Sequence, residues 1–197
     1  MKESQLKAQL KVDLGKFINI SDEEFERIYA FVEIRKFKRR EIILNIGEVC
    51  KDAMYIGEGC LRYFHVVDGE EHTGQFFFEN GWYTDYESFL TREPSRVCIQ
   101  SIEKCTLACI SRSNMHKIYD ETPRFERFGR LMAETGFIGL RKKTETFVQL
   151  TPEERYLKLV HERPKVIKRI PQHFIASFLG IKPQSLSRIR KRLLENL

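Results

Sequence analysis

Gln184, Arg188 and Lys191 recur four and three residues apart in a stretch that also carries Leu186, Ile189 and Leu193. At about 100° per residue, a helix puts the first three on one side and the apolar three on the other. Ser185 and Ser187 fall on the flanks. Arginine pairs bidentately with guanine and glutamine with adenine in the major groove, while hydroxyls and cations hold phosphates. The chemistry expected of this helix is therefore recognition of duplex DNA. Gln184 and Arg188 are the candidate base contacts; Ser185, Ser187, Lys182, Lys191, Arg192 and Lys168 are the candidate backbone contacts.

A groove-reading helix needs a second helix to hold it. Ile170-Pro-Gln-His-Phe-Ile-Ala-Ser-Phe-Leu179 supplies an apolar one, Gly180 follows it, and a new helix starts near Pro183. Glycine suits the corner because it takes a positive φ without steric cost. The apolar side of the second helix can dock on Ile175 and Leu179. Charge is concentrated in the same region: residues 165–197 hold eight Lys/Arg and one acid, a net +7 against +6 for all 197 residues. A localised positive field is the footprint of polyanion binding.

Other chemistries lack their residues. The five cysteines (50, 60, 98, 105, 109) are odd in number, scattered and without a CxxC, which suits reduced thiols in a cytoplasm better than a disulfide frame, a zinc site or an iron–sulfur cluster. Cys105 and Cys109 would share a strand face as small core residues. His65 and His72 flank a hairpin with Glu70 and Glu71, but the close His-x-His pair of a cupin-type metalloenzyme is missing, so that is a remote alternative and no metal is expected. Neither a nucleophile elbow nor a glycine-rich phosphate loop occurs, and no enzyme is expected. Apolar runs are too short to span a bilayer. Met1-Lys-Glu-Ser-Gln-Leu-Lys7 has no signal-peptide core, so a cytoplasmic protein without membrane association is expected.

Ahead of the helical pair the periodicity changes twice. Residues 5–18 are weakly amphipathic, and Ser21-Asp-Glu-Glu24 is a capping box opening a short helix. From about 34 to 111 the period is two, with strands at Ile34/Phe37, 42–44, 54–56, 61–67, 73–78, 97–102 and 107–110. Turn signals separate them: 45–48, Gly57-Glu-Gly59, Asp68-Gly69, 79–81 and 92–94. A short helix fits Tyr86–Leu90. Many short strands at regular spacing predict a roll or barrel. Residues 122–150 predict one long helix, the candidate dimer seam. Thr151-Pro-Glu-Glu154 is a second capping box, with proline at the favoured first helical position. Val166–Ile170 predicts a short strand.

The fold class expected is α+β: an N-terminal antiparallel β-roll of cupin-like jelly-roll type (residues 1–115), a long connecting and dimerisation helix (116–150), and a C-terminal helix-turn-helix of the winged-helix type (151–197). This order of parts resembles the Crp/Fnr superfamily of bacterial transcription regulators over nearly the whole chain. The most specific pieces are Ile175-Ala-Ser-Phe-Leu-Gly-Ile181 and Leu186-Ser-Arg-Ile-Arg190; Asn45-Ile-Gly-Glu48 and Gly57-Glu-Gly59 look like the first roll turns. The resemblance implies a homodimer on a palindromic operator in double-stranded DNA and a regulatory signal received in the roll; in an alternative reading the roll takes no ligand and is structural or binds a partner such as RNA polymerase.

Departures from the family pattern are specific. Cyclic-nucleotide-binding members carry a phosphate cassette with Gly-Glu before a short helix and Arg-Ser/Thr-Ala after it. Here Thr84-Asp85 stands for the first pair, Ser95 stands at the arginine position, and Arg96 is one place off. With the cation displaced, ordinary cAMP binding is not expected, although Thr84, Asp85, Tyr86, Ser95 and Arg96 remain the candidate pocket residues for another effector. A second reading is a ligand-gated regulator sensing a cyclic nucleotide or an apolar small molecule, the latter among Phe76–Phe78, Trp82, Tyr83, Tyr86 and Phe89. Haem or iron–sulfur sensing lacks its ligands. In the reader helix, Pro183-Gln184 stands where members often carry Arg-Glu, while Arg188 fits the family's later arginine, so the operator should differ from the best-known site.

Overall fold

Leu6, Leu10 and Leu14, four apart, are fully buried on one side of the first helix, α1 (Glu3–Gly15). The computed structural model describes residues 1–195. Helix α2 (Asp22–Tyr29) begins with the expected capping box: the Glu24 amide donates to Ser21 Oγ at 3.2 Å, and the Ser21 amide donates to Glu24 Oε2 at 2.7 Å. Burial of Phe25 and Ile28 then fixes its inner face.

Seven strands follow the period-two reading, β1 (Glu33–Phe37), β2 (Ile42–Leu44), β3 (Asp52–Glu58), β4 (Cys60–Val67), β5 (Glu70–Phe78), β7 (Cys98–Ser101) and β8 (Cys105–Ser111), while the two-residue β6 (Trp82–Tyr83) was not among the expected strands. Helix α3 (Tyr86–Thr91) lies between β6 and β7. One sheet has the order β1-β8-β3-β6 and the other β2-β7-β4-β5. Strand β8 lies between β1 and β3, with Cys109 opposite both Glu33 and Met54. Its residues are buried from Cys105 to Ile110, which is why that segment reads as a continuous apolar run rather than an alternation.

Two glycines read as a turn have different jobs. Gly57 lies inside β3, beside a register shift between Ile56 and Glu58. A methyl group there would stand 2.1 Å from Leu6 Cδ1, so glycine lets α1 lie close on the strand. Only Gly59, with φ +98°, makes the turn. The Asp68-Gly69 signal is a two-residue hairpin loop, and both residues have positive φ (51° and 77°), as a type I′ turn requires. All five cysteines are buried and outside any disulfide, and burial pushes the Cys105 thiol up to about 11 and the Cys109 thiol to about 12. Such thiols are core residues rather than nucleophiles.

After β8 come α4 (Arg112–Glu121) and the long helix α5 (Pro123–Gln149). Phe125 and Phe128 anchor the start of α5: the Phe125 ring lies 6.0 Å from Tyr119 and 5.3 Å from Phe128, and Phe128 lies 5.2 Å from Trp82. The described residues end in four helices: α6 (Pro152–Glu162), α7 (Pro164–Arg169), α8 (Gln172–Phe178) and α9 (Pro183–Glu195). The Thr151–Glu154 capping box of α6 is present. The strand expected at Val166–Ile170 is not: those residues form α7 and its cap. Pro164 presets φ for the first helical position, and Val166 and Ile170, four apart, bury on one helical face.

Two units result. One joins Met1–Arg62 to Phe77–Phe137; the other joins Tyr63–Phe76 to the chain from Ile138 onward. Most of the β4–β5 hairpin is thus grouped with the C-terminal helices.

Candidate nucleic-acid interface

Helix α8 stops in a hydrogen-bonded corner. The Gly180 amide donates to Ser177 O and the Ile181 amide to Ala176 O, both at 3.0 Å, with Gly180 at φ +70°. This pair of bonds is a Schellman motif and satisfies carbonyls that the helix end would leave unpaired. The chain then turns through Ile181-Lys182 into α9. Leu186 and Ile189 are buried against the core that also holds Ile175, Ala176 and Leu179, so the rotation of α9 about its axis is set by the apolar side.

That rotation leaves Gln184, Ser185, Ser187, Arg188 and Lys191 exposed, as the spacing predicts. Lys182 and Lys168 are exposed as well, the first just before α9 and the second on α7. The cations are not equally placed. Arg192 is bonded to Glu153 Oε2 of α6. Lys191 lies 3.7 Å from Glu195, one turn on. Lys182 Nζ sits 2.8 and 2.9 Å from the two carboxylate oxygens of Glu70, on the β4–β5 hairpin. Nothing in the local sequence pointed to Glu70 as a partner of the reader, because the two residues are 112 positions apart.

The pocket candidates in the roll are arranged differently from a phosphate cradle. Ser95 is buried; its hydroxyl donates within reach of Asp85 Oδ2 (2.7 Å) and Val97 O (2.9 Å) and accepts from the Val97 amide at 3.1 Å. Thr84 is buried and donates to Asp52 O at 3.0 Å, with Cys50 Sγ 3.4 Å away. Arg96 is exposed, as is Tyr86 on α3. Asp85 and Ser95 are brought together, and Arg96 does not join them. The aromatic residues considered as an apolar pocket pack on other rings: Phe77 stacks on Tyr83 at 3.9 Å, Trp82 meets Tyr55 at 5.5 Å, and Phe76 meets Phe178 at 5.3 Å. His65 and His72 are exposed on their strands. No described helix is long and apolar enough to cross a membrane.

Residues 34–122 match the family model of the cyclic nucleotide-binding domain. No curated protein sequence matches the chain. Among solved structures, CLP of Xanthomonas campestris, a c-di-GMP-responsive global regulator, superposes with a TM-score of 0.72 at 17% identity, covering 89% of this chain and 93% of that one. FixK2 of Bradyrhizobium japonicum gives 0.73 at 15% identity, covering 84% and 85%. A Eubacterium rectale protein assigned to the Crp/Fnr family of transcriptional regulators gives 0.71 at 16%, covering 89% and 85%. Residues 34–122 are thus similar to the cyclic nucleotide-binding domain, and the chain shares the fold of these solved structures.

Proposed function

We propose that this protein is a sequence-specific DNA-binding transcription regulator of the Crp/Fnr type and not an enzyme. It acts as a homodimer on a palindromic operator, with RNA polymerase as its further partner at the promoter. The observation that carries this reading is α9: Leu186 and Ile189 seat it, and the opposite face presents Gln184 and Arg188 to solvent. The dimer is supported by α5, where Phe137, Leu140 and Val148 are 69%, 60% and 80% exposed along one helix. Apolar residues so placed favour a second helix as cover.

Arg188→Ala is expected to weaken specific binding by ~1–3 kcal/mol and to relax the preference at one base position per half-site. Selection of binding sites from a random pool, followed by titration of the winning duplex with both proteins, measures both effects. An unchanged sequence preference would remove α9 as the reader.

The residues in the roll do not fit a cyclic phosphate. A phosphate seated at Ser95 would meet the Asp85 carboxylate 2.7 Å from that hydroxyl, and the nearest sequence cation, Arg96, is exposed. Like charges at such a distance repel. The regulator is therefore read as not gated by cAMP. Its melting temperature is expected to stay unchanged on addition of cAMP, whereas a ligand at roughly 100 times its Kd stabilises a protein by about 2.7 kcal/mol. A rise in melting temperature with cAMP overturns this part of the reading and leaves the DNA-binding part standing.

A further inference from the structure

Strand β5 is the last strand of its sheet, so among the described residues one edge of its backbone has no strand beside it. Such an edge needs other partners or it becomes a site for unwanted pairing. Here Ser177 of α8 supplies them, and side chains of α5 and the α6–α7 junction add bonds to other carbonyls of the strand, within one compact unit. Ser177 of α8 accepts from the Thr73 amide at 2.9 Å and donates to Glu71 O at 2.8 Å. Lys143 of α5 donates to Gly74 O. Arg163, between α6 and α7, donates to Gln75 Oε1 and, at 2.7 Å, to Phe76 O. Phe76 packs on Phe178 at 5.3 Å. Finally Glu70 takes Lys182 in a two-oxygen ion pair at the start of the reader helix.

These contacts differ in strength along the strand. At the Phe76 end the donors are partly buried and an aromatic pair adds apolar area; desolvation, with Arg163 close by, pulls the Lys143 ammonium below its ordinary value. At the Glu70 end both side chains are largely exposed, 61% and 69%, and an ion pair of that kind is weak and sensitive to salt. A root that holds and a tip that lets go is the anatomy of a latch. The tip is also placed where it matters. Lys182 precedes Pro183, the first residue of α9, and the N-terminal turn is the part of a reader helix that meets the DNA. A carboxylate held there by two oxygens occupies the place a phosphate would take on the same ammonium.

We propose that the β4–β5 hairpin is a latch on the reader, in which Glu70 stands in for a DNA phosphate on Lys182 and must be displaced when the duplex binds. This rests on the DNA-binding reading above. It makes the hairpin, which belongs by sequence to the roll, a brake on DNA affinity set by one anion.

The test is a two-by-two set: the full-length protein, Glu70→Gln, Lys182→Ala and the double variant. Each is titrated with a mixed-sequence DNA duplex two helical turns long over a series of salt concentrations. Glu70 is exposed, so its amide replacement leaves packing intact. Glu70→Gln is expected to tighten binding about two- to fivefold at low salt and to leave the slope of log K against log salt close to the parent's, because Lys182 reaches a phosphate in both complexes. In the Lys182→Ala background the same change should do nothing. Equal affinity of Glu70→Gln and the parent, while the parent binds DNA in a salt-dependent way, overturns the latch alone. So does a gain from Glu70→Gln that persists without Lys182, since it would reflect only the loss of a surface charge. Absence of salt-dependent binding in all four proteins overturns the DNA reading itself, and the latch with it.

Discussion

Affinity for duplex DNA is expected to fall by about 10⁴-fold as salt rises from roughly 50 to 200 mM, with a slope of log K against log salt near −7. The figure follows from the cations placed around the reader helix. Lys168, Lys182, Lys191 and Arg192 lie on α7, at the start of α9 and along it. A homodimer presents each of them twice. Every phosphate neutralised releases condensed counterions, and B-DNA contributes about −0.9 to the slope per phosphate. The pairing in the structure makes the number discriminating. If Glu70 and Glu153 kept Lys182 and Arg192 in the complex, only half the cations would reach phosphates. The slope would then be near −3.5, and the loss over the same range about 130-fold. A slope near zero would falsify DNA binding altogether. Fluorescence anisotropy with a labelled duplex across the salt series reads the slope directly.

Phe125→Ala is expected to cost about 3–5 kcal/mol of stability, the largest effect foreseen for a single side chain here. Phe125 is fully buried at the start of α5, against Tyr119 of α4 and Phe128 one turn on. Its removal takes away the apolar transfer term and leaves a cavity that three elements cannot all close, because Phe128 is held in turn by Trp82 and, at 5.7 Å, by Phe17. For a chain of this size, that cost lowers the melting temperature by about 6–20 °C. Phe125→Leu retains most of the volume and should cost much less. Val12→Ala, at a residue 65% exposed, is the surface control. Urea unfolding of the variants reads the difference; equal midpoints for Phe125→Ala and Val12→Ala would show that α5 is not seated by this ring.

Local physics made much of the molecule legible in the chain itself. The capping boxes at Ser21 and Thr151 were readable because both partners lie within one helical turn. The Asp68-Gly69 hairpin was readable because few residues other than these accept positive φ in succession. The face of α9 was readable because an apolar triplet at helical spacing can be buried in only one rotation. Readings failed where a local preference competed with another. Val166-Ile167 favours a strand by type, yet Pro164 and the burial of Val166 and Ile170 four apart make a helix. Gly57 has the composition of a turn, yet it sits in β3 because α1 lies against it.

What the sequence by itself determined is the order of elements, the roll-then-helices plan and the polar face of the reader, since these depend on periodicities of two and 3.6 and on turn residues a few positions apart. What only the tertiary structure decided is which charges meet. Lys182 with Glu70, Ser177 with the backbone of β5 and Ser95 with Asp85 are pairings across folded distance. The long-range ones among them, Glu70 with Lys182 above all, are set by how a hairpin and four helices pack, and exposed charged side chains carry no pattern in the chain that names their partners in advance.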